Sequence, residues 1–256
     1  MNEANFNKMY ERAKEYKYSS MNYIDYDQCK NADILHDDDG LILLHDTSKT
    51  PSMLYFATND FESVLKKISE ISGGLRLNFV PHEYAAQLKQ LGFTEWGEYI
   101  GYFNYSLADT AAKFGNVSKV EYLGKSECKI VSDVAQKCRL QSRGFEGETP
   151  ESYEKWLTEN EILVVRENGT IAGYCCVSIY NEGTILFIKE MAVAPDFQGK
   201  GYAKKLIEQA ICHGIENGAI KGFLHVDKFN ENAIDLYKKY DFVTKETSGE
   251  LQMVRA

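Results

Sequence analysis

Apolar residues recur along this chain at two spacings, and the spacings mark out the elements. Phe61, Val64, Leu65, Ile68 and Ile71 fall three and four residues apart, which predicts a helix, with Asp60 as its cap. Upstream, a polar helix is expected near Asn5–Tyr18. "ADILHDDDGLILLHD" (Ala32–Asp46) reads as a hairpin turning at Asp38-Asp39-Gly40, and "SMLYFAT" as a third strand. "GLRLNFV" is a strand, "PHEYAAQLKQLG" a helix opened by Pro81, and "FTEWGEYIGYFNYSL" extended chain. The small, polar stretch Ala108–Asn116 reads as a linker. After it come a short strand at "VEYL" and two helices, "SECKIVSDVAQKCRLQSRGF" and "PESYEKWLTEN". Three antiparallel strands follow within "EILVVRENGTIAGYCCVSIYNEGTILFIKEMAV", with Asn168-Gly169 as a tight turn. The chain then runs through a glycine loop, a long helix, the strand "KGFLHVD", the helix "ENAIDLYKKY" and two closing strands near "FVTKE" and "ELQMVR".

The second half echoes the first. "GFLHVDKFNENAIDLYKKYDF" (Gly222–Phe242) lies over "GGLRLNFVPHEYAAQLKQLGF" (Gly73–Phe93) without a gap. Leu224 meets Leu75, Val226 meets Leu77 and Phe242 meets Phe93. A strand–helix–strand unit repeated in the same order suggests duplication. The alternative is a chance match between α/β segments of similar length. The expected fold class is α/β (α+β): two modules, each a mainly antiparallel mixed sheet flanked by helices, over residues 1–110 and 117–256.

Composition narrows the partners. The net charge of −9 argues against a wide nucleic-acid surface or an anionic membrane, and weakly favours a cationic or amine substrate. The six cysteines form no Cys-x-x-Cys pair, so reduced core thiols are expected and no metal site. The N-terminus is polar, and no apolar run approaches the ~18–20 residues a membrane span needs. A cytoplasmic, soluble protein is the expectation, as monomer or homodimer.

The loop "APDFQGKGYAKKLIEQAI" (Ala194–Ile211) carries the candidate chemistry. It follows a strand and opens a helix. Gly199 and Gly201 let the backbone turn sharply and approach a ligand. The helix start offers unpaired N–H groups and the positive end of its dipole. Lys200 and Lys204 add charge. Together these suit a pyrophosphate, although a glycine pair before a helix is by itself often only a turn. The pattern is neither the dinucleotide fingerprint nor a P-loop.

Gln-x-x-Gly-x-Ala after a strand ending Val193-Ala194-Pro195 resembles the acetyl-CoA signature of the GCN5-related N-acetyltransferase (GNAT) superfamily. "NENAIDLYKKYDF" resembles that family's second signature, matching at Asn230, Ala233, Leu236, Tyr237 and Phe242, with Asp241 in place of the usual glycine. The resemblance covers roughly Val120–Ala256. It implies that Met191, Ala192 and Val193 offer backbone groups to the pantetheine of acetyl-CoA. It places Gln198, Gly199, Lys200, Gly201, Tyr202, Ala203 and Lys204 around the pyrophosphate, and Asn230 at the pantetheine or the helix start. Tyr237 is implied as the acid that protonates the leaving thiolate. A phenol near ~10 can donate to a thiolate near ~8.5 when well placed.

An amine nucleophile must also lose a proton. Glu190, His225 and Asp227 are the candidate bases, and strand parity does not separate them. The first half departs from the pattern: Tyr237 is matched by Leu88, Asn230 by Pro81 and Ala233 by Tyr84, and Asp60 stands where a phosphate would sit. It is expected to be a degenerate copy that binds no acetyl-CoA. The function implied is acetyl transfer to a primary amine of a small molecule or peptide by direct attack. The alternative is a non-catalytic acyl-CoA sensor or scaffold.

Overall fold

The hairpin predicted at Ala32–Asp46 closes through Asp38, whose Oδ1 accepts from the amides of Gly40 and Leu41. It joins β2 (Asp33–Asp37) to β3 (Leu41–Asp46). The structure, a computed structural model, describes residues 1–22, 24–139 and 141–256. These fall into two compact units, Met1–Glu98 with Glu250–Ala256, and Tyr99–Gly249.

In the first unit, β3 pairs antiparallel with β4 (Ser52–Thr58), and β4 pairs parallel with β5 (Leu75–Val80). The last strand of the chain, β12 (Glu250–Arg255), lies antiparallel beside β5. Helix α3 (Phe61–Glu70) starts at Asp60, which caps the amide of Glu62, and buries Phe61, Val64, Leu65 and Ile68 on one face of the sheet. A 3-10 turn at His82–Tyr84 and helix α4 (Ala85–Gln90) complete that face. Helices α1 (Glu3–Ala13) and α2 (Tyr26–Cys29) cover the other. The parallel register of β4 and β5 runs only from Ser52 to Leu54. Past it, the short strand β1 (Tyr18–Ser19) pairs with β4 at Ala57 and Thr58. Because β3 holds the other edge of β4, β1 fills the edge that β5 leaves.

The second unit has the same plan. Strands β8 (Glu161–Glu167), β9 (Thr170–Tyr180) and β10 (Ile185–Val193) are successively antiparallel, and β10 is parallel to β11 (Lys221–Asp227). Asn168 and Gly169 both take positive φ, as their turn requires. The short β7 (Glu121–Tyr122) edges β8. Helices α8 (Tyr202–Glu216) and α9 (Glu231–Lys239) bury Leu206, Ile207, Ala210, Ile234 and Tyr237 on one face. Helices α6 (Cys128–Cys138) and α7 (Pro150–Trp156) cover the other with Val131, Ala135 and Tyr153. The helix expected over residues 126–145 ends at Cys138; position 140 of that expectation lies outside the described residues.

Three expectations change. The stretch taken as a linker is part of the second unit: α5 (Leu107–Ala111) packs on α8, with Leu107 and Thr110 buried. Asn104 fixes it by donating to Thr110 Oγ1 at 2.7 Å. "FVTKE" forms no strand, only a bridge from Val243 to Phe103. The division into residues 1–110 and 117–256 is not the one seen. Strand β6 (Thr94–Asn104) leaves the first unit at Tyr99 and pairs antiparallel with β11, while β12 returns to β5. The six cysteines are free, and five are buried. Among the described residues, no helix is long and apolar enough to cross a membrane.

Candidate active site

The site begins with a bulge. Strands β10 and β11 pair from Ile185–Lys221 to Ile188–Leu224 and then part. At that point the register of β10 with β9 shifts between Ile188 and Glu190. The extra residue reverses the side-chain parity of β10. Leu186 and Ile188 face the α8 side, and strict alternation would send Glu190 there too. The bulge turns Glu190 to the α6/α7 side, where it lies on the same face as Tyr174 and Cys176 of β9.

Between the parted strands lies a cleft of about 340 Å³. Its walls include β10 from Ile188 to Val193, His225 to Asp227 of β11, Ser142 and Phe145 of the α6–α7 connection, and Leu236 and Tyr237 of α9. Because the strands separate, side chains from both faces of the sheet border one space. Tyr237 belongs to the core under α8 and α9, and Glu190 contacts residues under α7.

Met191, Ala192, Val193, Gln198, Ala203 and Asn230 line this cleft. Beyond the bulge, the β10 edge that faces it pairs with no strand among the described residues, so its backbone groups face the cavity. Gln198 ties the loop to that strand, donating to the Val193 carbonyl at 2.8 Å and to Gln141 at 2.7 Å. Gly199 and Gly201 have φ of 74° and 84°, and a Cβ at either would meet nothing within 4 Å. No side chain caps α8. An open, uncapped 15-residue helix start behind two left-handed glycines fits an anionic group. Lys200 pairs with Glu167 at 3.3 Å beside it, and Lys204 lies 3.8 Å from Glu208. The ring of Tyr202 is buried against Phe197 and its hydroxyl is bonded to Glu167, so only its backbone is available to a ligand. Asn230 caps α9 by accepting from the Ala233 amide at 3.2 Å, the helix-start role.

Tyr237 is buried, and its hydroxyl bonds to none of the described residues. Burial raises its phenol above the ordinary value, so it stays protonated. Glu190 is half-buried. Its Oε1 accepts from Tyr153 at 2.6 Å and also from Tyr174. Burial raises this carboxyl, and the two phenols oppose that rise. His225 is accessible within the cleft; the protein around it lowers its imidazole pKa, against the pull of Glu246. Asp227 is sealed and held by Arg143 through Nη2 at 2.8 Å and Nε at 3.2 Å. Both of its oxygens are occupied, which removes it from the candidate bases.

Sequence reasoning missed Tyr153, Tyr174 and Arg143. Tyr153 sits in "PESYEKW" with no motif around it, and only the bulge would have shown that Glu190 meets it. Asp241, the departure from the glycine of the second signature, has φ 59° and bonds Thr110 and Lys113. Gly92, its counterpart in the echo, has φ 86°. The turn is the same, and Asp241 adds an anchor for α5.

Residues 131–242 match the model of the acetyltransferase (GNAT) family. No curated protein matches the chain in sequence. Solved structures do match in fold. An acetyltransferase from the GNAT family of Colwellia psychrerythraea superposes with a TM-score of 0.60 at 11% identity, over 100% of this chain and 98% of that one. A functionally unknown conserved protein of Staphylococcus epidermidis ATCC 12228 gives 0.59 at 14%, over 92% and 99%. A GCN5-related N-acetyltransferase of Sphaerobacter thermophilus gives 0.56 at 12%, over 84% and 76%. At such identities the likeness is one of fold. Residues 131–242 thus carry the sequence pattern of the acetyltransferase (GNAT) family, on a fold that solved GNAT acetyltransferases share.

Proposed function

We propose that this protein transfers an acetyl group from acetyl-CoA to a primary amine of a small molecule or peptide, by direct attack in the cleft of the second unit. The observation that carries the reading is the unpaired edge of β10, running toward the uncapped start of α8 past Gly199 and Gly201. An extended pantetheine would take the place of the missing strand, and a pyrophosphate would meet the amides of the helix start. Acetyl-CoA supplies an activated acetyl thioester. Glu190 takes a proton from the incoming ammonium, and its raised pKa suits that task better than an ordinary carboxylate would. Tyr237 donates its proton at the departing sulfur. Burial penalises thiolate and phenolate alike, so both partners in that transfer move up together. His225, which lines the same cleft, would hold the acceptor.

The first unit supports a single site. Its corresponding β4 edge is taken by β1, where Ser20 also donates to the Phe56 carbonyl at 2.8 Å. Its corresponding helix start is capped by the carboxylate of Asp60. We read it as a degenerate copy of the second unit. Release of CoA from acetyl-CoA, followed with a panel of primary amines, tests the activity. Turnover with an amine confirms it. Tight acetyl-CoA binding with no release on any amine would instead fit an acyl-CoA sensor.

A further inference from the structure

Glu190 is held in an unusual way. Two buried phenols, one from α7 and one from β9, converge on the same carboxylate oxygen. Tyr153 and Tyr174 also lie 2.8 Å from one another, oxygen to oxygen. Two phenols have two protons to place among three oxygens. Either both donate to Oε1, or one phenol donates to the other, which donates to Oε1. In each arrangement Oε1 accepts at least one phenol proton and Oε2 accepts none. Oε2 accepts from none of the described residues, and it is not among the sealed, unpartnered side-chain atoms. Glu190 lines the cleft, and Oε2 is its oxygen without a donor among the described residues. Both rings are fully buried and meet edge to face at 5.6 Å, so neither hydroxyl can swing away without disturbing the core.

We propose that Tyr153 and Tyr174 are positioning residues, which fix Oε1 of Glu190 and leave Oε2 as the atom that accepts the amine's proton. The inference rests on the acetyl-transfer reading. In the step, an N–H bond of the ammonium breaks and an O–H bond forms at Oε2. The nitrogen keeps its electron pair for attack, and the carboxylate becomes a neutral acid. The phenols serve two ends. They leave the second oxygen without a phenol donor, and they partly offset the burial that would otherwise keep the carboxyl protonated. The other groups around Glu190 are Glu148, which raises it, Lys189, which lowers it, and the neutral thiols Cys138, Cys175 and Cys176. His225 and Asp227, the latter held by Arg143, also line the cleft.

The test is a carboxyl ¹³C NMR titration of the whole chain with labelled glutamate, the Glu190 signal being identified by its loss in Glu190→Gln. Tyr153→Phe and Tyr174→Phe each keep the ring and remove one hydroxyl. The midpoint of Glu190 is expected to move to higher pH in either variant, because the ionised form loses a donor. A merely structural tyrosine would lower the melting temperature and leave the midpoint in place. Each variant reads the same oxygen, so one that folds poorly leaves the other to decide. An unchanged or lowered midpoint overturns the proposal. Calorimetry with acetyl-CoA on the same samples tests the underlying reading separately. Absent binding with a shifted midpoint defeats acetyl transfer and Oε2 as its base, while the hold on Oε1 stands. Binding with an unshifted midpoint defeats only the tyrosines' role.

Discussion

Tyr237 carries a proton that none of the described residues accepts, on a ring buried in the core. Tyr237→Phe keeps that ring, and its packing against Phe242 with it. It removes one donor. Loss of a general acid typically lowers the rate by ~10²–10⁴-fold. One hydroxyl contributes only about 0.5–1.5 kcal/mol to binding. The variant should therefore show a kcat reduced by that order, with a KM for acetyl-CoA close to the parent's. A rate near the parent's with a good amine would assign the proton to water and leave Tyr237 a packing role. This residue was legible in the sequence because helical spacing survives folding: Asn230, Ala233, Leu236 and Tyr237 keep their order whatever surrounds them. Glu190 was legible only as one of three candidate bases. Its parity depends on a bulge, and nothing in "TILFIKEMAV" marks one. Asp227 looked equally open because its partner, Arg143, lies 84 positions away.

At the scale of elements, the two helix starts differ more than their sequences suggest. Both follow a strand that has parted from its parallel neighbour. Asp60 caps α3 with a carboxylate; Gly201 leaves α8 open. A negative side chain at a helix start satisfies the same N–H groups and dipole that an anion would. Calorimetry of the parent should therefore return one acetyl-CoA per chain. Gly201→Glu should abolish that binding by placing a carboxylate in the cradle. Gly201→Ala separates charge from backbone strain. Its Cβ meets open space, but φ of 84° costs an L-residue on the order of 1–3 kcal/mol. It should lower stability more than affinity. Two sites per chain, or unchanged affinity in Gly201→Glu, would overturn the single-site reading. The glycine loop was visible in the sequence because φ preferences are local. The plug at β1 was not, since "YSS" has no strand signature and gains its place from the gap it fills. Helix α5 escaped for a related reason: its small residues are chosen by the surface of α8, not by a spacing of their own.

The order of elements that the two units share was legible in the sequence, and the closure of each unit was not. Each half supplies strands, helix, strand, helix and a final strand in the same order, but the final strands change places. Strand β6 serves β11, and β12 serves β5. Local pattern cannot decide this, because both are antiparallel partners with apolar alternation, and either edge would accept either strand. The exchange has a consequence for stability. Leu251 and Met253 of β12 are buried in the core of the first unit, opposite Val80 and Leu77. Burying such side chains contributes about 1.5–3 kcal/mol each. A chain ending at Gly249 loses both, and exposes the ladder groups of β5. Every residue assigned here to the cleft lies between Tyr99 and Gly249, so the second unit keeps its site. Hydrogen exchange should show Leu75–Val80 losing protection in the truncated chain, while Ile185–Val193 keeps its own. Acetyl-CoA affinity should change little. If instead β5 stays protected and binding is lost, then β12 supports the second unit, and the pairing assigned to it here is not the one that holds in solution.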